Sequence, residues 1–419
     1  MNLGAAPSVT VARLPGSVGV RAWATTVLIT TIVVTSFMSA VTMAGAIVAD
    51  DAGTTPKLYH AALLVAGAVM LLRGRVARPR AELLLYFGIT IGTSLLAYGV
   101  HEPRVAVLKL VIALYVALVA ASVGRAAGPA LVLRACRIGS VMFLVAVTAK
   151  NAQHVPAFLA FLVSPLGHPD VPSLAGGGLN LEATWLALAS IFLIGTTIFV
   201  PYVLAAAATS TLYASRAGIV VAAMAIVAAL LYAWGGAHLR RLGVSVAAPS
   251  RLARRVAGVS IAVAATGALG VATAVVRQQG DVAYVAQRFA AIGGEPGSMG
   301  RLTLWQGGLH VFAEYPLGVG VGNAVPMLRR VLGVDVPEDN LHNIYLQHAV
   351  ETGVPGLVAL LLFAAMVARR AMASRFRDHL LLFVCAYFVA GAIQFTGVDA
   401  ILWLAYGMQS GASGGGDHG

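Results

Sequence analysis

Residues 342–370 read HNIYLQHAVETGVPGLVALLLFAAMVARR. The body of this stretch, 343–368, is long and apolar enough to cross ~30 Å of hydrocarbon as one helix. Its first turns carry Asn343, Gln347 and Glu351 at spacings of four, which gives a polar stripe on one helical face. Polar side chains at membrane depth usually face a bundle interior or a wet cavity. The other end closes on Arg369 and Arg370. The stretch is therefore read as a membrane helix with one wet end and one basic end.

Runs of the same kind recur at roughly 23–48, 58–72, 82–100, 105–123, 138–149, 181–199, 201–214, 217–235, 256–276, 379–396 and 398–409. The 419 residues are 59% hydrophobic and 11% charged, whereas a soluble domain is about one-quarter charged. Mean hydropathy is +0.86. The alternating ten-residue segments of a membrane β-barrel are missing. The fold class is thus an all-α polytopic membrane protein of about 12 transmembrane helices. The first run has no cleavage site behind it and reads as an uncleaved helix. Cys136 and Cys385 have neither metal-ligand spacing nor an evident disulfide partner.

The net charge of +12 does not point to nucleic acid. Its arginines gather in short loops after the second, fourth, eighth and tenth runs, which is the positive-inside pattern. Placing those loops in the cytoplasm makes 1–22 a cytoplasmic N-terminus, 23–276 nine membrane helices, and 342–409 three more. A tail, 410–419, follows. Parity requires 181–216 to cross an even number of times, as two short helices hinged near Pro201. One large periplasmic loop, 277–341, remains. Loops of that length are usually functional or disordered. With Trp305 and Phe312 among its residues, this one is expected to pack as a cap of short helices.

Four stretches could carry chemistry, all on the periplasmic side. Thr209–Arg216 leads into the eighth run, so Arg216 opens a helix. A helix N-terminus favours an anion, and a guanidinium adds a two-pronged phosphate ligand. The same arginine could instead snorkel to lipid headgroups. Arg301 stands four residues before Trp305, on one helical face. It could hold phosphate or pair with Glu314 or Asp339. Arg288 is a candidate of the same kind. Gly318, Gly320 and Gly322 alternate with valine and suit a tight turn rather than a nucleotide fingerprint. His342 lies where the loop re-enters the membrane and can take a proton near neutral pH. Against it stands an ordinary structural histidine, the reading kept for His348. Asp50-Asp51 form a rival site for a divalent metal, or a solvated turn.

Taken in order, Arg216 after a Thr/Ser-rich run, Gly300-Arg301-Leu302-Thr303-Leu304-Trp305, Pro316-Leu317-Gly318-Val319-Gly320, and His342-Asn343-Ile344-Tyr345-Leu346 leading to Glu351 and Gly353 resemble the O-antigen ligase and polymerase superfamily. The resemblance covers roughly 205–366. It implies a GT-C-like glycosyltransferase of the bacterial inner membrane, active on the periplasmic face, with no cofactor and no metal. The implied partners are an undecaprenyl-pyrophosphate-linked glycan donor, a lipid A–core acceptor and membrane lipids. The implied catalytic residues are Arg216 and Arg301 on the pyrophosphate and His342 on the acceptor hydroxyl. Arg288, Trp305, Asn343, Tyr345 and Gln347 are expected to bind substrate.

The resemblance also admits an O-antigen polymerase or a protein O-oligosaccharyltransferase, which differ in acceptor. A polysaccharide or lipid transporter would instead show structural repeats, and the chain has none.

Overall fold

The computed structural model describes residues 15–47, 56–97, 104–158, 171–213, 215–241, 296–333, 340–395 and 397–412. The expected run 256–276, Arg288, Asp50 and Asp51 lie outside these residues. The helices are α1 (Pro15–Phe37), α2 (Leu58–Leu72), α3 (Ala81–Leu96), α4 (Arg104–Ala127), α5 (Pro129–Ala152), α6 (Gly178–Ala189, continued by a 3-10 turn, Ser190–Leu193), α7 (Phe199–Leu212), α8 (Arg216–Arg241), α9 (Pro296–Glu314), α10 (Ala324–Leu332), α11 (Ile344–Ala373), α12 (His379–Ala390) and α13 (Ala400–Ala412). Among the described residues, extended pairing is limited to the isolated bridges Val41–Ile47 and Thr42–Lys57. Among the described residues, four stretches are long and apolar enough to cross a membrane: Val107–Ala127, Pro129–Ala152, Arg216–Ala237 and Ile344–Ala373. Six further apolar helices are shorter.

Several boundaries differ from the sequence reading: the reversal expected near Pro201 falls at 194–198, with Pro201 inside α7, and the run expected over 379–396 ends as a helix at Ala390. Two further differences have a plain local reason. The run expected over 23–48 stops being helical at Phe37. Beyond it, Thr42 N–H and Oγ1 both donate to the Ala46 carbonyl, and Gly45 takes φ +79°. Those bonds close a tight reversal that a helix would forbid. The run expected over 138–149 is only the second half of α5, which starts at Pro129. Proline suits a first helical position because its missing N–H would have had no helical partner there.

The directions of the helices can be read from their contacts. α8 starts at Arg216 and carries Tyr232 and Trp234 about 25 Å further along. There the Arg377 guanidinium lies 3.8 Å from the centre of the Tyr232 ring. Trp234 meets Phe376, and His379 Nε2 lies 3.0 Å from the Ile194 carbonyl. The end of α11, the start of α12 and the reversal between α6 and α7 therefore share the far end of α8. α6 and α7 go down and back as a hairpin. α12 also runs back, and its last turn reaches the start of α11, where Ile344 N–H donates to the Gly391 carbonyl (2.7 Å). Arg216, at the start of α8, and His342, two residues before α11, thus lie at the same end of the bundle.

Lipid chains are as apolar as leucine, so helices in a bilayer associate through close packing rather than through escape from water. The pairing of α4 with α13 shows this. A Cβ placed on Gly407 would lie 2.4 Å from the Ala117 carbonyl oxygen, and one on Gly411 2.0 Å from that of Ala121. The missing side chains let the two backbones touch. Behind α13, Trp403, Tyr86, Phe87, Phe363 and Tyr406 fill the interior, with ring centres 4.7–6.5 Å apart. His348 belongs to this cluster. Its Nδ1 lies 3.1 Å from the Ile344 carbonyl and so carries the proton, leaving Nε2 to accept from Tyr86 OH at 2.6 Å.

Gly411→Ala is expected to overpack the α4–α13 contact and cost about 1–3 kcal/mol. A lower melting temperature of the detergent-solubilised protein would show this. An unchanged melt would mean that the two backbones do not touch.

Candidate active site

α11 is broken where it would otherwise be a continuous membrane helix. Gly353 has φ +66° and ψ −166°, and Pro355 follows. Proline has no N–H, so the Glu351 carbonyl loses its helical donor. Gly320 N–H takes that carbonyl at 2.8 Å, and Val319 N–H takes the Val350 carbonyl at 3.0 Å. Val354 N–H, freed by the break, donates to the Pro316 carbonyl at 2.9 Å. The Pro316–Gly322 turn is therefore docked into the break like a short added strand. The approach is very close, since a Cβ on Gly353 would lie 2.4 Å from the Pro316 oxygen.

The polar stripe on α11 completes this docking. The buried Glu351 carboxylate accepts Gly322 N–H at 2.8 Å and the Gln347 side-chain amide at 2.5 Å. Gln347 Oε1 accepts Leu341 N–H at 2.8 Å. From the other side, the Trp305 indole N–H donates to the Leu341 carbonyl at 2.8 Å. The Leu341 peptide is thus gripped at both of its polar groups, one residue before His342. His342 has φ +51°, a conformation non-glycine residues adopt rarely. Its N–H donates to Asn340 Oδ1 at 2.8 Å. Asn343 caps α11, its Oδ1 accepting Tyr345 N–H and Leu346 N–H. Tyr345 OH donates to the Phe388 carbonyl at 2.7 Å, which ties the corner to α12.

α9 and α10 fold against this corner through a small apolar core that includes Leu304, Val311, Val319, Leu328 and Val350. Between α9 and α11 lies an open cleft of about 360 Å³, walled by Trp305, Leu309, Phe312, Tyr345, Leu346, Ala349 and Leu357, with Asn343 at its edge. Arg301 stands one turn before Trp305 on α9 and is half-buried. Glu314 is nearly four turns further along the same helix, about 20 Å away, too far to pair with it.

Arg216 comes from a different part of the bundle. Ser215 caps α8, with Gly218 N–H donating to its Oγ at 3.1 Å, and Arg216 is the first helical residue. Beside this corner is a buried polar group that no local pattern in the sequence announces. Glu182 is fully buried, and its Oε1 meets Lys150 Nζ at 2.5 Å. Tyr213 OH lies 2.5 Å from the same oxygen and 2.8 Å from Asn151 Oδ1. Burial, and then the Glu182 charge, push the Tyr213 phenol well above its usual pKa, so it remains a donor. Lys150 and Glu182 sit at the ends of separate apolar runs, and periodicity cannot link them.

The structure thus brings Trp305, His342, Asn343, Tyr345 and Gln347 to one corner and keeps Arg301 on the helix packed there. Arg216 opens a second helix at the same end. Among the described residues, no three His, Cys, Asp or Glu side chains gather in the manner of a metal site.

Residues 183–361 match the family model described as O-antigen ligase. By this match the segment is similar to the O-antigen ligase superfamily. It runs from α6 to the middle of α11 and so contains Arg216, Arg301, Trp305 and His342. No curated protein matches the chain. The ligase-family segment and the four long apolar helices together mark a membrane protein.

Gln347→Leu would leave the Leu341 N–H without its acceptor and is expected to cost about 1–3 kcal/mol. Hydrogen–deuterium exchange should then speed up across 340–343. Trp305→Phe spares that N–H, so the Leu341 amide should exchange as in the parent protein.

Proposed function

We propose that the chain transfers a glycan from an undecaprenyl-pyrophosphate carrier to lipid A–core oligosaccharide, on the periplasmic face of the bacterial inner membrane. The observation that carries this reading is that Arg216, the first residue of α8, and His342, just before the cap of α11, lie at one end of the bundle, within a segment that matches the O-antigen ligase family. The end of the bundle rich in Arg369, Arg370, Arg375 and Arg377 is opposite, and a cytoplasmic position for it accords with the positive-inside rule.

In this mechanism Arg216 and Arg301 hold the pyrophosphate. Negative charge builds there as the anomeric C–O bond breaks, and fixed guanidinium groups in a site of low dielectric stabilise it. The His342 imidazole accepts the proton of the acceptor hydroxyl as that oxygen bonds to the anomeric carbon. The bonding electrons leave with the pyrophosphate. A single displacement inverts the anomeric configuration, and no metal takes part. The apolar cleft beside Tyr345 and Leu346 offers a surface suited to the carrier's polyprenyl chain.

The experiment is transfer from the undecaprenyl-pyrophosphate glycan to purified lipid A–core, with EDTA present. His342→Ala is expected to lower the rate by roughly 10²–10⁴-fold, the usual worth of a general base, while wild type proceeds. Glycan lengthening on the carrier without transfer to lipid A–core would make the protein a polymerase. EDTA-sensitive transfer that tolerates the His342 change would turn attention to Asp50 and Asp51.

A further inference from the structure

We infer that Glu182 is a positioning residue for Arg216, holding the start of α8 through Tyr213 and Lys150. This rests on the reading of Arg216 as a pyrophosphate ligand.

Three observations carry it. First, Glu182 gathers segments that are distant in sequence. Its Oε2 accepts Leu174 N–H at 2.5 Å, while Oε1 meets Lys150 from α5 and Tyr213 from the end of α7. The Leu174 carbonyl in turn accepts Ala40 N–H at 2.9 Å, beyond the end of α1. Second, Ser215, the residue before Arg216, is held at two points. Ser215 N–H donates to the Ser210 carbonyl at 2.7 Å, and Ser215 Oγ caps the helix. Third, α8 docks on α6 immediately beside Glu182. A Cβ on Gly218 would lie 2.8 Å from the Ala183 Cβ and 2.4 Å from Ser210 Oγ, so the first turn of α8 sits at its limit of approach.

Stability alone does not account for such a group. Burying an ion pair costs desolvation, and a well-packed apolar pair often serves the fold as well or better. What the ion pair adds is geometry. Lys150 also offsets the carboxylate charge, so that Glu182 does not stand as a bare anion near the site of an anionic donor.

The test compares the full-length protein in lipid nanodiscs with Glu182→Gln, with the apolar pair Lys150→Met/Glu182→Met, and with Arg216→Ala. Transfer is measured from the undecaprenyl-pyrophosphate glycan, with donor and acceptor varied separately. The apolar pair takes the acceptor from Leu174 N–H and is expected to melt somewhat below wild type, yet to stay folded and lose roughly a hundredfold in kcat/KM for the donor, the scale expected of a misplaced catalytic group. KM for the acceptor should not change. Combining Glu182→Gln with Arg216→Ala should add nothing to the loss from Arg216→Ala alone, because the two residues act as one unit. An apolar pair that stays folded and transfers like wild type would overturn the inference. So would unfolding of both Glu182 variants, which would leave packing as the sole role. Normal transfer by Arg216→Ala would instead remove the donor-site reading itself, whatever Glu182 does.

Discussion

A helix in hydrocarbon must satisfy its own peptide groups, because no water is present to do so. α11 breaks this rule at Gly353–Pro355, and the candidate site depends on the repair. The carbonyls that the break frees are taken by Val319 and Gly320, and the N–H that it frees goes to Pro316. A segment distant in sequence thereby becomes part of the helix's own hydrogen bonding. Glu351, Gln347 and the Leu341 peptide extend this chain of bonds to His342. Losing the break would release the Pro316–Gly322 turn and loosen the corner that carries the histidine.

Paired charges sit toward the two ends of the bundle, one pair buried and one half-buried. Among the described residues the ion pairs Lys150–Glu182 and Glu82–Arg370 lie at opposite ends of the bundle, and each also engages a tyrosine, Tyr213 or Tyr406. The middle is filled by aromatic rings and by glycines that let backbones meet. Such a bundle gains its cohesion from contact, so a single added methyl group matters where α4 touches α13. At the Arg216 end, the tight fit of Gly218 on Ala183 and the Glu182 network serve one purpose, which is to place the first turn of α8.

Several elements were legible from the residues alone. The apolar runs matched helices at 58–72, 105–123 and 217–235 closely, because length and hydropathy are local properties. The Gly–Val alternation after Pro316 read correctly as a turn. The spacing of Gln347 and Glu351 read correctly as one helical face, whereas Asn343 stands just before the helix as its cap, and the use of the three was not visible. Those side chains bind backbone groups of 322, 341, 345 and 346. The backbone partners of Gln347 and Glu351, at 341 and 322, lie outside the helix, where periodicity carries no information.

The sequence by itself determined that this is a bundle of membrane helices with a polar end and a basic end. Hydrocarbon permits few backbone arrangements, and a long apolar run therefore leaves little choice. The segment's order of arginine, tryptophan, glycine turn and histidine was likewise readable in one dimension. Only the tertiary structure decided that Lys150 meets Glu182 and that Trp305 and Gln347 hold the backbone of Leu341 from two sides. Those pairings join residues far apart along the chain, and they are set by how the helices pack and by where one helix breaks.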